Sequence, residues 1–220
     1  MNFFEQQDKA RSKTVRLVVM FLTGLAVLAI IALVVVVILI FYLISIYNNL
    51  VSLKNRVDNG WAQIDVQLQR RYDLIPNLVE TAKGYMKHEK ETLKMVIDAR
   101  NSANQAAKAA SGNPSDQSAI KDLQASEQKL QGAMMSFQAL AEGYPDLKAN
   151  TNMLALQEEL ATTENKVGFS RQAFNDAVMQ YNTGIEMFPN SLIANQFKFS
   201  QATEWQIEDQ EAKKNVKVTF

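Results

Sequence analysis

Residues 17–46 read LVVMFLTGLAVLAIIALVVVVILIFYLISI, thirty positions without a charge and with only Thr23, Gly24, Tyr42 and Ser45 among the apolar side chains. As a helix this run would extend about 45 Å at 1.5 Å per residue, against a bilayer hydrocarbon core of about 30 Å. It therefore predicts a transmembrane helix that tilts or leaves the core before the run ends. A cleaved signal peptide has a shorter apolar core and a small-residue cleavage site, and no Ala-X-Ala pattern follows Leu43, so the segment reads as a permanent anchor. Burial in a soluble core is the weaker alternative, because such helices rarely run so long without a charge. Ala26, Ala29 and Ala32 form a small-residue face, but no GxxxG accompanies them.

The flanks bear on orientation. Lys9, Arg11, Lys13 and Arg16 precede the run, with Glu5 and Asp8, while Lys54 and Arg56 are the near basic residues after it. Four against two favours a cytoplasmic N-terminus and an extracytoplasmic C-terminal region; extending the count to Arg70 and Arg71 makes it four against four.

Beyond the anchor, Leu50, Leu53, Val57, Trp61, Ile64, Leu68, Tyr72, Ile75 and Val79 recur at steps of three and four, one face of a helix. No glycine or proline pair separates Ile46 from this stripe, so the anchor is expected to continue into the first soluble helix and to couple mechanically to it. Pro76 lacks an amide hydrogen and its ring crowds the carbonyl of Tyr72, which predicts a kink or restart there, with helix resuming towards Ala110. Ser111-Gly112-Asn113-Pro114-Ser115 is a loop, with Ser115 or Asp116 as the next cap. A second helix then carries Ile120, Leu123, Leu130, Met134, Phe137 and Leu140. After a turn at Gly143-Tyr144-Pro145-Asp146, a third helix runs from about Ala149 to Met187, closed by Pro189. A short helix can start at Asn190, and Lys217-Val218-Thr219-Phe220 reads as extended. The expected fold is all-α, a transmembrane helix leading into an elongated antiparallel bundle: 1–16 a basic N-terminal segment, 17–46 the membrane helix, 47–220 the bundle.

Composition narrows the chemistry. In 220 residues there is no cysteine and one histidine, so thiolate metal sites, cysteine nucleophiles and multi-histidine sites are excluded. Lys+Arg and Asp+Glu both number 23, with no basic excess for nucleic acid. No Walker A loop, GxSxG, dinucleotide fingerprint or HExxH is present, and no catalytic residue, cofactor or metal site is expected. His88-Glu89, on a stretch read as polar helix, is expected to be solvated surface. Glu158, Glu159 and Glu164 would hold a cation only if a second acidic cluster met them.

The densest feature is WAQIDVQLQRRYDLIPNLVE, residues 61–80. Trp61, Ile64 and Leu68 extend the apolar stripe, while Asp65, Arg70, Arg71 and Asp73 crowd charges ahead of Pro76 and Asn77. One reading is packing with local ion pairs. The other is a docking surface for a second copy or another protein, for which Trp61, Asp65, Arg70, Arg71, Asp73, Pro76 and Asn77 are the candidates; arginine's planar fork suits carboxylate partners. On a straight helix, residues 70–76 would stand about 35–45 Å beyond Ile46, outside the reach of headgroups. The docking reading predicts that Arg70→Glu with Arg71→Glu spares folding and disrupts assembly. Near the other end, Phe188, Phe197, Phe199, Trp205 and Phe220 either seal the bundle or mark an interface.

YNNLVSLKNRVDNGWAQIDVQLQRRYDLIPNLVETAKGYMKHE at 47–89, GYPDLKAN at 143–150, TEN at 163–165 and FPNSLIANQFKF at 188–199 together closely resemble the LemA family. The resemblance implies a bacterial single-pass membrane protein with a helical-bundle domain and a poorly defined biochemical role. Magnetosome-associated relatives suggest membrane shaping. The family is described with a very short outer N-terminus and a cytoplasmic bundle, from which the longer, basic segment ahead of this anchor departs. The expected function is a membrane-anchored protein that self-associates, with lipids and further copies of itself as partners, to organise or remodel a patch of bacterial membrane. The alternative is a membrane-tethered adaptor for a signalling protein or protease.

Overall fold

The computed structural model describes residues 3–114 and 116–206. Ser115 and the expected extended end at 217–220, with Phe220, lie outside them. Six helices follow in order: α1 (Phe3–Lys83), α2 (Lys90–Gly112), α3 (Gln117–Ala141), α4 (Pro145–Lys148), α5 (Thr151–Glu186) and α6 (Asn190–Gln196), with no strand among the described residues. The chain divides into two units, 1–49 and 50–220.

In the first unit, every residue from Gln6 to Ser45 is exposed. This part of α1 is one stretch long and apolar enough to cross a membrane by length and composition.

The second unit holds the core. Its α1 stripe is buried as the spacing requires: Leu50, Val57, Ile64, Leu68 and Ile75 are all fully covered. Opposite them lie Phe137 of α3 and Phe174 and Val178 of α5, also fully covered. Antiparallel pairing of α1 with α5 follows from its contacts. Leu53 meets Gly184, Gly60 meets Phe174 and Arg70 meets Glu159, the α5 partners descending as the α1 numbers rise. Likewise Trp61 meets Ser111 and Tyr72 meets Arg100, so α2 also runs against α1. A Cβ at Gly60 would lie 3.2 Å from the Phe174 Cα, a backbone atom; glycine is what allows the two helices this approach.

Helix α1 is not interrupted at Pro76. Its break comes at 84–89, where Tyr85 and Met86 both donate backbone hydrogen bonds to the Ala82 carbonyl, and α2 starts at Lys90. The expected restart at the proline is therefore displaced by some ten residues, for a reason found in α2 and described below. His88 accordingly lies in a turn, exposed, and not on a helix. The other boundaries fall near expectation. Asp116 caps α3, its carboxylate accepting from the amides of Ser118 and Ala119, and Asn150 caps α5 by accepting from the Met153 amide.

After α6 the chain runs extended over 199–206 along α5. Asn182 donates to the Ala202 carbonyl and accepts from its amide, each at 2.9 Å, and Asn175 treats Trp205 the same way at 3.1 and 2.8 Å. Seven helical residues span about 10.5 Å, and three extended residues span about 10 Å. That match of rise lets two asparagines on one helix face clamp one straight strap.

Candidate functional site

Residues 61–80 form the densest polar and aromatic cluster on α1, and the bundle draws most of it inward. Trp61 is 3% exposed, edge-on to Phe174 with ring centroids 5.5 Å apart and 6.1 Å from the Trp205 ring brought in by the strap. Its indole N–H donates to Ser111 Oγ at 3.1 Å, and that hydroxyl lies 2.8 Å from Asp65 Oδ1 and 3.0 Å from the Ala107 carbonyl, either of which can take its proton. The last turn of α2 is thereby stapled to α1.

Nearly two helical turns beyond Asp65 sits a charged knot. Arg71, a buried residue, donates to Glu127 Oε2 at 2.7 Å and reaches Glu164 Oε2 at 3.1 Å. Tyr72 donates its hydroxyl to the other Glu127 oxygen. Burial pushes the Glu127 carboxyl up from its ordinary range, and Glu164 adds to this, while Arg71 and the Tyr72 hydroxyl pull it back. The Tyr72 phenol is driven far up, first by burial and then by Glu127, so it stays a donor throughout the accessible pH range. At the surface Arg70 binds Glu159 with two nitrogens, Nε at 3.2 Å and Nη2 at 2.5 Å.

Pro76 and its neighbours complete the block. A proline at 76 leaves the Tyr72 carbonyl without its i+4 donor. Arg100 Nε of α2 occupies that acceptor at 2.7 Å, and its Nη2 lies 3.6 Å from Asp73 Oδ1. Helix α1 continues because a neighbouring helix supplies the missing hydrogen bond. Asn77 is exposed, its carbonyl accepting from Thr81 Oγ1 at 2.9 Å.

The seven candidates therefore separate. Trp61 and Arg71 are interior residues that pack within the bundle; Asp65 and Pro76 are half-buried. Arg70, Asp73 and Asn77 remain on the surface, Arg70 already engaged with Glu159. Glu159 and Glu164 are paired with Arg70 and Arg71 of α1, Glu164 sharing Arg71 with Glu127. Sequence spacing treats the acids of α5 and the arginines of α1 separately, and Glu127 and Arg100 carry no local signal at all.

Two hollows flank the block. One, of about 270 Å³, opens between α3 and α5 beside Arg71 and is floored by Leu78, Phe137 and Leu160. The other, of about 680 Å³, lies at the α1–α2 turn, where Lys83, Lys87, Lys90 and Lys94 rim Met86 and Leu93. Of the distal aromatics, Trp205 is buried and seals the bundle, Phe199 is half-buried, and Phe188 and Phe197 are 79% and 57% exposed.

These features sit within a segment that known proteins share. The model of the LemA family matches residues 60–220, which takes in the knot, the proline, both asparagine clamps and the strap. Among individual proteins, the chain is 24% identical over 156 residues to Protein LemA of Metamycoplasma hominis, covering 70% of this chain and 67% of that one. With the family model matching well over half of its length, the chain belongs to the LemA family.

Proposed function

We propose that the protein is anchored in the bacterial cytoplasmic membrane by residues 17–46 and self-associates through its bundle to organise or remodel a patch of that membrane. The observation that carries this reading is the exposed run within α1: thirty uncharged residues with only Ile46 buried, a surface that water would penalise heavily and hydrocarbon would not. The basic residues ahead of it, four against two in the near flanks, favour a cytoplasmic N-terminus and an extracytoplasmic bundle. For association between copies, the support is large apolar side chains that the bundle leaves exposed, Val66 at 64% and Met135 at 61%.

The test is the mass and shape of the full-length protein extracted gently with its lipids, by light scattering and single-particle imaging. A large, symmetric, lipid-containing particle is expected. A folded monodisperse monomer would overturn self-association and favour the second reading, a membrane-tethered adaptor, for which the lysine-rimmed hollow at the α1–α2 turn is the specific feature: it suits an acidic, partly apolar segment of another protein.

A further inference from the structure

The end of the bundle nearest the apolar run carries large hydrophobic side chains that its own core does not take up. A Cβ on Gly184 would lie 2.6 Å from Leu53 Cδ1 and 3.8 Å from Leu50 Cδ2, so the last turn of α5 rests on the first bundle residues of α1. Leu50 follows Ile46 by four residues, at most about 14 Å of extended chain. Whatever direction the anchor takes, this end of α5 cannot be far from where the apolar run stops. Just beyond Gly184 come Met187, 57% exposed, Phe188, 79% exposed, and Leu192 of α6, 62% exposed. Asn190 holds α6 in place by donating to the Gly184 carbonyl at 3.1 Å. Exposed Lys54 and Arg56 on α1 and Lys198 after α6 belong to the same end. Of the acids there, Glu186 accepts from Gln201 at 2.5 Å and Asp58, half-buried on α1, acts on Tyr181.

We infer that Met187, Phe188 and Leu192 form an interfacial lipid-contact patch that dips into the headgroup–acyl boundary of the membrane, with Lys54, Arg56 and Lys198 facing phospholipid phosphates. The inference rests on the anchored reading above and goes beyond it by assigning a second, peripheral contact with the bilayer. Apolar side chains with long basic ones at the same end of a domain are what an interface accepts: the rings and aliphatic chains leave water while the ammonium and guanidinium groups stay at the phosphate level. A second bilayer contact would restrain the tilt of the bundle over the membrane, which a single helix does not.

The absence of cysteine permits a direct test in the full-length protein. Nitroxide labels on Met187→Cys and Leu192→Cys, which retain Phe188, are compared in phosphatidylethanolamine–phosphatidylglycerol vesicles with reference labels on Val34→Cys and Phe169→Cys. Phe169 is a suitable aqueous reference, exposed and about 22 Å along α5 from Gly184. Collision with oxygen against a water-soluble nickel complex reads the surroundings. The labels at 187 and 192 are expected to give an oxygen-to-nickel ratio several-fold above that at 169, in the direction of the label at 34. A ratio equal to that at 169, with 34 in lipid, overturns the patch while leaving the anchor standing. Exclusion of both reagents at 187 and 192 overturns it in favour of a protein covering. An aqueous ratio at 34 overturns the anchor, and the patch with it.

Discussion

If Arg100 supplies the hydrogen bond that Pro76 removes, the two residues must be coupled. Arg100→Ala orphans the Tyr72 carbonyl and should cost about 1–3 kcal/mol. In a Pro76→Ala background the helix regains its own amide donor, so the same change should cost markedly less; an additive double-mutant cycle in urea denaturation would refute the coupling. The charged knot behaves differently at its two arginines. Arg70 is exposed at 55% of its side chain and Arg70→Glu should cost under about 1 kcal/mol. Arg71→Ala strands the buried Glu127 and should cost about 3 kcal/mol or more, with Arg71→Met plus Glu127→Leu recovering much of it. The double reversal at 70 and 71 is therefore expected to weaken folding through Arg71, which reverses the expectation drawn from the sequence.

The same knot sets a pH dependence. Burial raises the Glu127 pKa above its ordinary 4.5, so the folded state binds its proton more tightly than the unfolded state. Its contribution is full below about 4.5 and is lost as pH rises through the folded pKa. Stability of the wild type relative to Glu127→Gln should thus fall as pH climbs from about 4.5, read by thermal melts across pH. Asp116 has the opposite sign. Hydrogen bonds from Ser118, first its hydroxyl and then its amide, hold its carboxyl below the ordinary range, so its cap is present above pH 3.8 and lost as pH falls through the lowered pKa.

At the scale of elements, glycines discriminate close packing from open surface. Gly60→Ala sets a Cβ 3.2 Å from the backbone of Phe174 and should push α1 and α5 apart, lowering the melting temperature. Gly168→Ala, in the interior of α5 with nothing within 4 Å, should stabilise by about 0.5–1 kcal/mol. The strap offers a separate test. Asn175→Ala with Asn182→Ala removes four hydrogen bonds between α5 and residues 202 and 205, so the amides of Ala202 and Trp205 should lose exchange protection while those of α5 keep theirs. Loss of protection throughout α5 would mean that the strap is part of the core's cooperative unit.

At the scale of the whole molecule, the core of residues 50–220 is assembled from side chains within that unit, from Leu50 to Trp205. Expressed without the first 49 residues it is expected to fold as a helical domain with one cooperative melt; a molten, non-cooperative transition would show that the anchor segment is needed for the fold. Assembly and lipid contact are then properties to be measured on the full chain, where both the exposed apolar run and the patch at 187–192 are present.

What the sequence by itself determined is what period and composition encode locally. An uncharged run of thirty residues, a three–four apolar stripe from Leu50 to Val79, a cap at Ser115 or Asp116 and a proline after Phe188 suffice for the long helices, the buried face of α1 and several boundaries, though not for the break at 84–89 or for α4. The stripe works because burial of one helical face depends only on positions a few residues apart. Only the tertiary structure decided the fate of the polar block. Whether Arg71 is a docking group or a buried ion depends on Glu127, fifty-six residues away, and whether Pro76 breaks the helix depends on Arg100, which comes from another helix. Those pairings are set by how α2, α3 and α5 pack on α1. No window of local sequence contains that information, because a charge or an orphaned carbonyl is judged by the partner that meets it and not by its neighbours along the chain.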